Sequence, residues 1–202
     1  MTLIPRSVLL IVAAFLLFGC TTAFRQLEDS SRPFEIRGYS VLPPGKWAYM
    51  EAGFPQAGVR FRSQPSATHT RVASVIDVSA RVDSRDGPAV FLESVRRHLA
   101  IQCAGRQTCL RSEVLPDPRF GSLSVRYSFD MIDRAASTAA GKMELPLRSR
   151  GFVFVHPQMW NVVLEVHYSE RGLPGEMDDE FIKQGFEKFV GGVSLRTAAV
   201  AR

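Results

Sequence analysis

The sequence predicts an α+β fold: a mostly antiparallel sheet with two main amphipathic helices packed on it. Three observations carry this. Residues 123–130 and 162–168 alternate apolar and polar side chains with a period of two, the mark of strands lying on a core. Residues 91–103 and 181–190 repeat apolar side chains at helical spacing, the mark of one-sided helices. Strands also come in runs rather than alternating with helices, which argues against a parallel sheet.

The elements follow in order. Residues 34–41 can open the domain as a strand. Leu42-Pro43-Pro44-Gly45 then breaks it, because proline lacks the ladder donor and glycine permits turn geometry. Residues 47–51 and 59–62 are short strands, and residues 64–68 a loop. Residues 71–82 read as a longer strand, with Ile76, Val78, Ala80 and Val82 on a dry face and Val75, Asp77, Ser79 and Arg81 on a wetter one. Gly87-Pro88 starts a helix running to about residue 102, proline being suited to the first helical position. Phe91, Leu92, Val95, Leu99 and Cys103 form its apolar stripe. In residues 123–130, Leu123, Val125, Tyr127 and Phe129 point inward.

Residues 135–141 read as a small-residue turn, and 142–147 and 152–155 as two strands. Phe152-Val153-Phe154-Val155 is apolar without a break, so it should be covered on both faces. His156-Pro157-Gln158 turns the chain into a hairpin partner, where Val162, Leu164, Val166 and Tyr168 alternate with Val163, Glu165 and His167. Asp178 and Asp179 sit at the start of the second helix, where negative charge suits the dipole. Phe181, Ile182, Phe186, Phe189 and Val190 are its apolar face, with Gly185 among them as a place of close approach. Gly191-Gly192 ends the helix, residues 193–196 make a last strand, and residues 197–202 fray.

The chain has 202 residues and a net charge of +5. That length suits one domain. Only four of the 25 basic residues are lysine. Arginine forks suit phosphates and carboxylates, but these are spread along the chain, which equally fits surface solvation. With no run of five or six like charges, the sequence has no nucleic-acid arm.

Arg6 precedes an apolar run over residues 8–18 that ends in Leu17-Phe18-Gly19-Cys20. A membrane-spanning helix needs about 20 apolar residues. The run is shorter, and its charged start and small-residue end are those of a secretory signal. The end resembles the bacterial lipoprotein box. That resemblance implies cleavage before Cys20, a diacylglycerol thioether on Cys20 and acylation of the new amine. It also implies delivery to the outer membrane, because Thr21 and not aspartate follows the cysteine. The expected organisation is therefore a signal peptide over 1–19, lipidated Cys20 and a tether over 20–33, one domain over 34–196, and a tail over 197–202. Such a tether of about 13 flexible residues spans roughly 20 Å.

Arg150-Gly151-Phe152-Val153-Phe154-Val155-His156-Pro157, with Val166-His167-Tyr168-Ser169-Glu170-Arg171-Gly172, resembles a pattern in small proteobacterial lipoproteins. The order of elements resembles the PsbP-like α/β/α sandwich, whose members are mostly accessory, assembly or binding proteins.

The candidate chemical groups are few. Cys103 and Cys109 enclose five residues; in an oxidising compartment they read as a disulfide, with two free thiols or a redox or metal pair as alternatives. Four histidines occur, at 69, 98, 156 and 167, and none sits in a His-Glu-x-x-His pattern. Glu165 and His167 share a strand face, where they could touch a ligand, though a wetter sheet face already explains both. His156 reads as a turn residue. Glu170 and Arg171 fit an exposed rim salt bridge, and Trp47 and Trp160 fit core or hairpin packing. No Gly-x-Ser-x-Gly elbow or phosphate loop is present. The sequence thus assigns no catalytic, cofactor or metal residue. It points to a lipid-anchored periplasmic accessory or binding domain, partnered by the membrane and an envelope protein, with no nucleic acid. An envelope hydrolase or other enzyme with a site assembled from scattered residues is the rival.

Overall fold

The computed structural model describes residues 24–36, 38–52, 57–85, 87–138 and 141–195. Cys20, the lipoprotein box and the tail lie outside them.

Eleven strands and two α-helices occur among these residues. They run β1 (Arg25–Gln26), β2 (Phe34–Ile36), β3 (Tyr39–Val41), β4 (Ala48–Ala52), β5 (Gly58–Ser63), β6 (Thr70–Asp77), α1 (Pro88–Ala100), β7 (Gln107–Pro116), β8 (Ser124–Thr138), β9 (Gly141–His156), β10 (Met159–Arg171), α2 (Asp179–Gly191) and β11 (Val193–Leu195). An eight-stranded sheet has the order β1-β4-β5-β6-β10-β9-β8-β7, and β11-β3-β2 form a second, small sheet. All pairings are antiparallel. The antiparallel sheet with two helices is the expected class.

Each face of the large sheet carries its own core. Phe61, Val75, Phe152, Phe154, Leu164 and Val166 pack against Ile182, Phe186 and Phe189 of α2 and against Tyr39 and Val41 of the small sheet. On the other face Val125, Tyr127, Phe129, Val153 and Val163 pack against Phe91, Val95 and Leu99 of α1. The fold is thus a sandwich, helix to either side of the sheet. Phe152, Val153 and Phe154 are all buried, as their unbroken apolar run requires.

Several expected boundaries move. The strand read at 71–82 stops at Asp77. Ser79 Oγ donates to Asp77 Oδ1, as does the Ser79 amide, and the chain turns to bring Val78 and Val82 under α1. The wet face expected for Val75 is wrong: Val75 is fully buried in the core beneath α2. The turn read at 135–141 is strand as far as Thr138, with a bulge between Asp133 and Ala136. The strands read at 142–147 and 152–155 are one, β9. The pairing of β10 with β9 ends at Leu147, the residue that follows Pro146, so the proline sits just beyond the end of that ladder. β7 had no sequence signal: it is an edge strand with mostly exposed or half-buried residues. Arg25–Gln26, inside the stretch read as tether, pairs with β4.

Two glycines are explained by close approach. A Cβ on Gly192 would meet Leu42 at 3.1 Å, and Gly192 has φ −83°. It therefore permits the docking of β3 rather than a left-handed cap. A Cβ on Gly185 would lie 2.6 Å from Tyr168 Oη. Tyr168 is buried and cannot swing away. Gly185→Leu should therefore lower stability by roughly 1–3 kcal/mol or more, read by thermal or urea unfolding. An unchanged melting temperature would refute this packing of α2 on β10.

Candidate functional site

α1 presents Phe91, Ser94, Val95, His98 and Leu99 to the sheet. Their spacing of three and four residues makes one stripe. Two of the five are polar, and each meets a partner. Ser94 Oγ accepts the Asp83 amide at 2.8 Å. His98 Nε2 lies 3.1 Å from Glu165 Oε2.

Below it, one row of residues crosses the sheet in register: Arg60 on β5, Ser74 on β6, His167 on β10, Gly151 on β9 and Tyr127 on β8. Gly151 is the opening in that row. A Cβ there would lie 2.4 Å from the Tyr127 ring. Without one, the ring lies across β9. Its hydroxyl then donates to Glu165 Oε1 at 2.7 Å and sits 2.8 Å from His167 Nδ1.

A hydroxyl has one proton. Since Glu165 takes it, His167 Nδ1 must donate to the tyrosine oxygen, which leaves Nε2 with its lone pair. Burial tends to raise the Glu165 pKa, but hydrogen bonds from His98 and Tyr127 and the neighbouring His167 overcome this and hold it below the usual glutamate range. Burial pushes His167 down; Glu165 opposes this and Arg60 adds to it. Burial and the Glu165 charge push the Tyr127 hydroxyl well up, so it stays a donor.

This corrects the sequence reading of Glu165 and His167 as groups on a wetter face. Glu165 is 4% exposed, and both belong to a network closed by Tyr127 and His98. His98 and Tyr127 were missed as its members. The signal for His98 was present: it falls three and seven residues after Val95 and Phe91, on the buried stripe.

Two further carboxylates are buried and paired. Glu170 is fully buried, its Oε1 shared by His69 Nε2 and Arg71 Nε, the latter at 2.9 Å. The exposed rim pair expected of Glu170 and Arg171 is therefore wrong, because the β6–β10 ladder carries Glu170 into the sheet end beside Arg71. Arg171 instead donates to Asp133 Oδ2 at 2.8 Å, and Arg106 also binds that carboxylate. Burial tends to raise the Asp133 pKa, but the two guanidinium groups hold it at about 2. Arg106 lies within the loop bounded by Cys103 and Cys109, which stand as a disulfide pair with Cα atoms 5.2 Å apart. His156, read as a turn residue, is the last residue of β9 just before the turn, and it is buried. Its Nδ1 accepts the Gln158 and Met159 amides at 3.1 Å, so its Nε2 donates to Gly38 O at 2.8 Å. Trp47 packs near Tyr168, whereas Trp160 is 74% exposed, against the packing expected of it. No group of three metal-ligating side chains occurs among the described residues.

No family model matches the chain, and no curated protein matches it. Solved structures similar to the chain include two of Mog1. One is the Saccharomyces cerevisiae Ran-binding protein Mog1p, with 9% identity, a TM-score of 0.41, and 86% of this chain and 96% of that one covered. The other is a mutant of protein Mog1, with the same identity and coverage and a TM-score of 0.40. These values bear on neither ligand nor partner.

Tyr127→Phe should leave Glu165 and His167 each short of a partner, at a cost of about 1–3 kcal/mol at neutral pH. The pH dependence has one sign. A lowered carboxylate contributes above its ordinary range and loses that contribution as pH falls through the folded pKa. A lowered histidine is likewise favourable when neutral, above its ordinary range, and costs stability as pH falls. Wild-type stability should thus decline from near pH 6.5 downward, and Tyr127→Phe should flatten the Glu165 part of that slope. Urea unfolding from pH 8 to pH 2 checks this. Equal stability of the two proteins across the range would contradict it.

Proposed function

We propose that the chain is a lipid-anchored, non-catalytic accessory or binding domain of the bacterial envelope. Cys20 holds it in the outer membrane, facing the periplasm, and an envelope protein is its partner. The observation that carries this is Leu17-Phe18-Gly19-Cys20 closing a short apolar run, as in the proteobacterial lipoproteins that the sequence resembles. Three acyl chains make a firm anchor, whereas one chain alone is marginal.

The fold gives the anchor a direction. Cys20 lies five residues before Arg25, the first residue of β1. Five residues span at most roughly 18 Å. The β1 edge of the large sheet is therefore kept beside the bilayer, closer than a 13-residue tether would keep it. β7 is the opposite edge, seven inter-strand steps away, or about 34 Å. There Leu110 is 68% exposed, and Leu115 is exposed too. An outward edge carrying apolar side chains suits a protein partner reached from the membrane. That α1 and the sheet bury titratable groups together favours the hydrolase as a second reading. Against it, no serine hydroxyl or cysteine thiol hydrogen-bonds to His98 or His167 among the described residues, so no activated nucleophile is assembled there.

Radiolabelled palmitate and cell fractionation test the anchored reading. The wild-type chain should take up label and sediment with the outer membrane. Cys20→Ser should remain uncut, unlabelled and absent from that fraction. A variant still processed and labelled would overturn the proposal.

A further inference from the structure

A groove of about 280 Å³ opens between the end of α1 and the sheet, directly over His167. Arg60 and Arg81 line it, with Gln102 just after α1, Gln107 at the start of β7, and Ser74, His167 and the Glu165 carboxylate, already held by His98 and Tyr127, on the floor. Arg60, Ser74 and His167 stand side by side because β5, β6 and β10 hold them in register. Arg81 comes from the turn that ends β6 early.

Three features point to a ligand. First, Arg60 and Arg81 have no carboxylate partner among the described residues, although Arg71, Arg85, Arg106, Arg119 and Arg171 all have one. Two unneutralised guanidinium groups on one small groove repel each other unless an anion joins them. Second, His167 Nε2 makes no hydrogen bond among the described residues, and unlike His98 Nδ1 it is not sealed from solvent. Its lone pair is fixed there by the Glu165–Tyr127–Nδ1 chain. Third, the donors are too many for a carboxylate. Two guanidinium forks and two amides, joined by the imidazole once it is protonated, offer more N–H groups than the roughly four lone-pair sites of a carboxylate accept, whereas a tetrahedral oxyanion presents three or four oxygens.

We propose that this groove is a binding site for a phosphoryl group or similar tetrahedral oxyanion, and that His167 Nε2 takes up a proton as the anion enters. The uptake is balanced: one proton moves from solvent to Nε2 and no covalent bond of the ligand changes. The imidazolium so formed has the anion on one side. On the other, its Nδ1–H meets Tyr127, whose hydroxyl is held by ionised Glu165. The charged or titratable groups around His167 are Glu165 on its own strand, Tyr127 on β8, Arg60 on β5, Arg81 after β6 and His98 on α1. In the empty groove burial, with Arg60 adding to it, keeps the imidazole neutral against the pull of Glu165. A bound dianion offsets Arg60 and removes that cause. Inorganic phosphate and the head group of a phospholipid share this chemistry. The inference requires neither the anchor nor the protein partner.

The test is calorimetric titration of the full chain, purified in a non-ionic detergent, with sulfate, inorganic phosphate and glycerol 3-phosphate. Sulfate keeps its charge between pH 5 and pH 8, so its pH dependence reports the protein's own proton. Wild type should bind sulfate saturably, with affinity falling by up to about tenfold per pH unit above the histidine pKa, and with proton uptake when buffers of different ionisation heat are compared. Arg60→Gln and Arg81→Gln alter exposed side chains and should leave melting unchanged while weakening sulfate at least tenfold. His167→Gln should abolish the pH dependence. Tighter binding of glycerol 3-phosphate than of inorganic phosphate would mark a head-group site, and the reverse a free-phosphate site; either supports the proposal. No saturable binding, wild-type affinity in the folded arginine variants, or sulfate binding independent of pH would overturn it. A chain that binds sulfate but fails to label with palmitate would defeat the anchored reading alone.

Discussion

The ring of Tyr127 lies across β9 only because position 151 has no side chain. A Cβ there would enter the ring, 2.4 Å from its nearest atom, so Gly151 is set by contact and not by backbone angle. From that one missing side chain follow the reach of the hydroxyl to Glu165 and His167, the proton on His167 Nδ1, and the free lone pair over the groove. α1 then closes the network from above through His98. Polar groups at the helix–sheet contact are unfavourable unless paired, and here the pairing is what aligns α1 over the sheet.

Three carboxylates are buried among the described residues, and each uses a different solution to the cost of desolvation. Asp133 is held by two arginines, so its site carries a net positive charge. Glu170 is shared by Arg71 and His69. Glu165 has no arginine partner and is held instead by His98 and Tyr127. Such buried pairs are weak sources of stability but costly to break. They concentrate along β10, an interior strand of the large sheet, which carries Glu165, Glu170 and Arg171.

How much of this was legible follows from which signals are local. The alternation in 123–130 and 162–168 gave two long strands and the inward direction of Tyr127, because period two depends only on the strand itself. The stripes gave both helices, and the apolar setting of Gly185 gave its close contact. The burial of Glu165 was not legible, since it depends on α1 crossing that sheet face. His98 was readable on the stripe but not its partner, which lies 67 positions away. Glu170 and Arg171 look alike in sequence and part in structure, because adjacent residues of a strand face opposite sides. β7 carries no alternation, being an edge strand, and at the bulge Asp133 accepts the Ala135 amide as well as its two arginine partners, which lie far away in sequence.

The central claim is that the Glu165–Tyr127 chain fixes the proton of His167 on Nδ1. Nitrogen-15 NMR of the imidazoles in the full chain reads this directly. At neutral pH the His167 ring should show the neutral form protonated at Nδ1, with a lone pair on Nε2, and Gly151→Ala should abolish that preference. A His167 ring protonated at Nε2 in the wild-type protein would contradict the account.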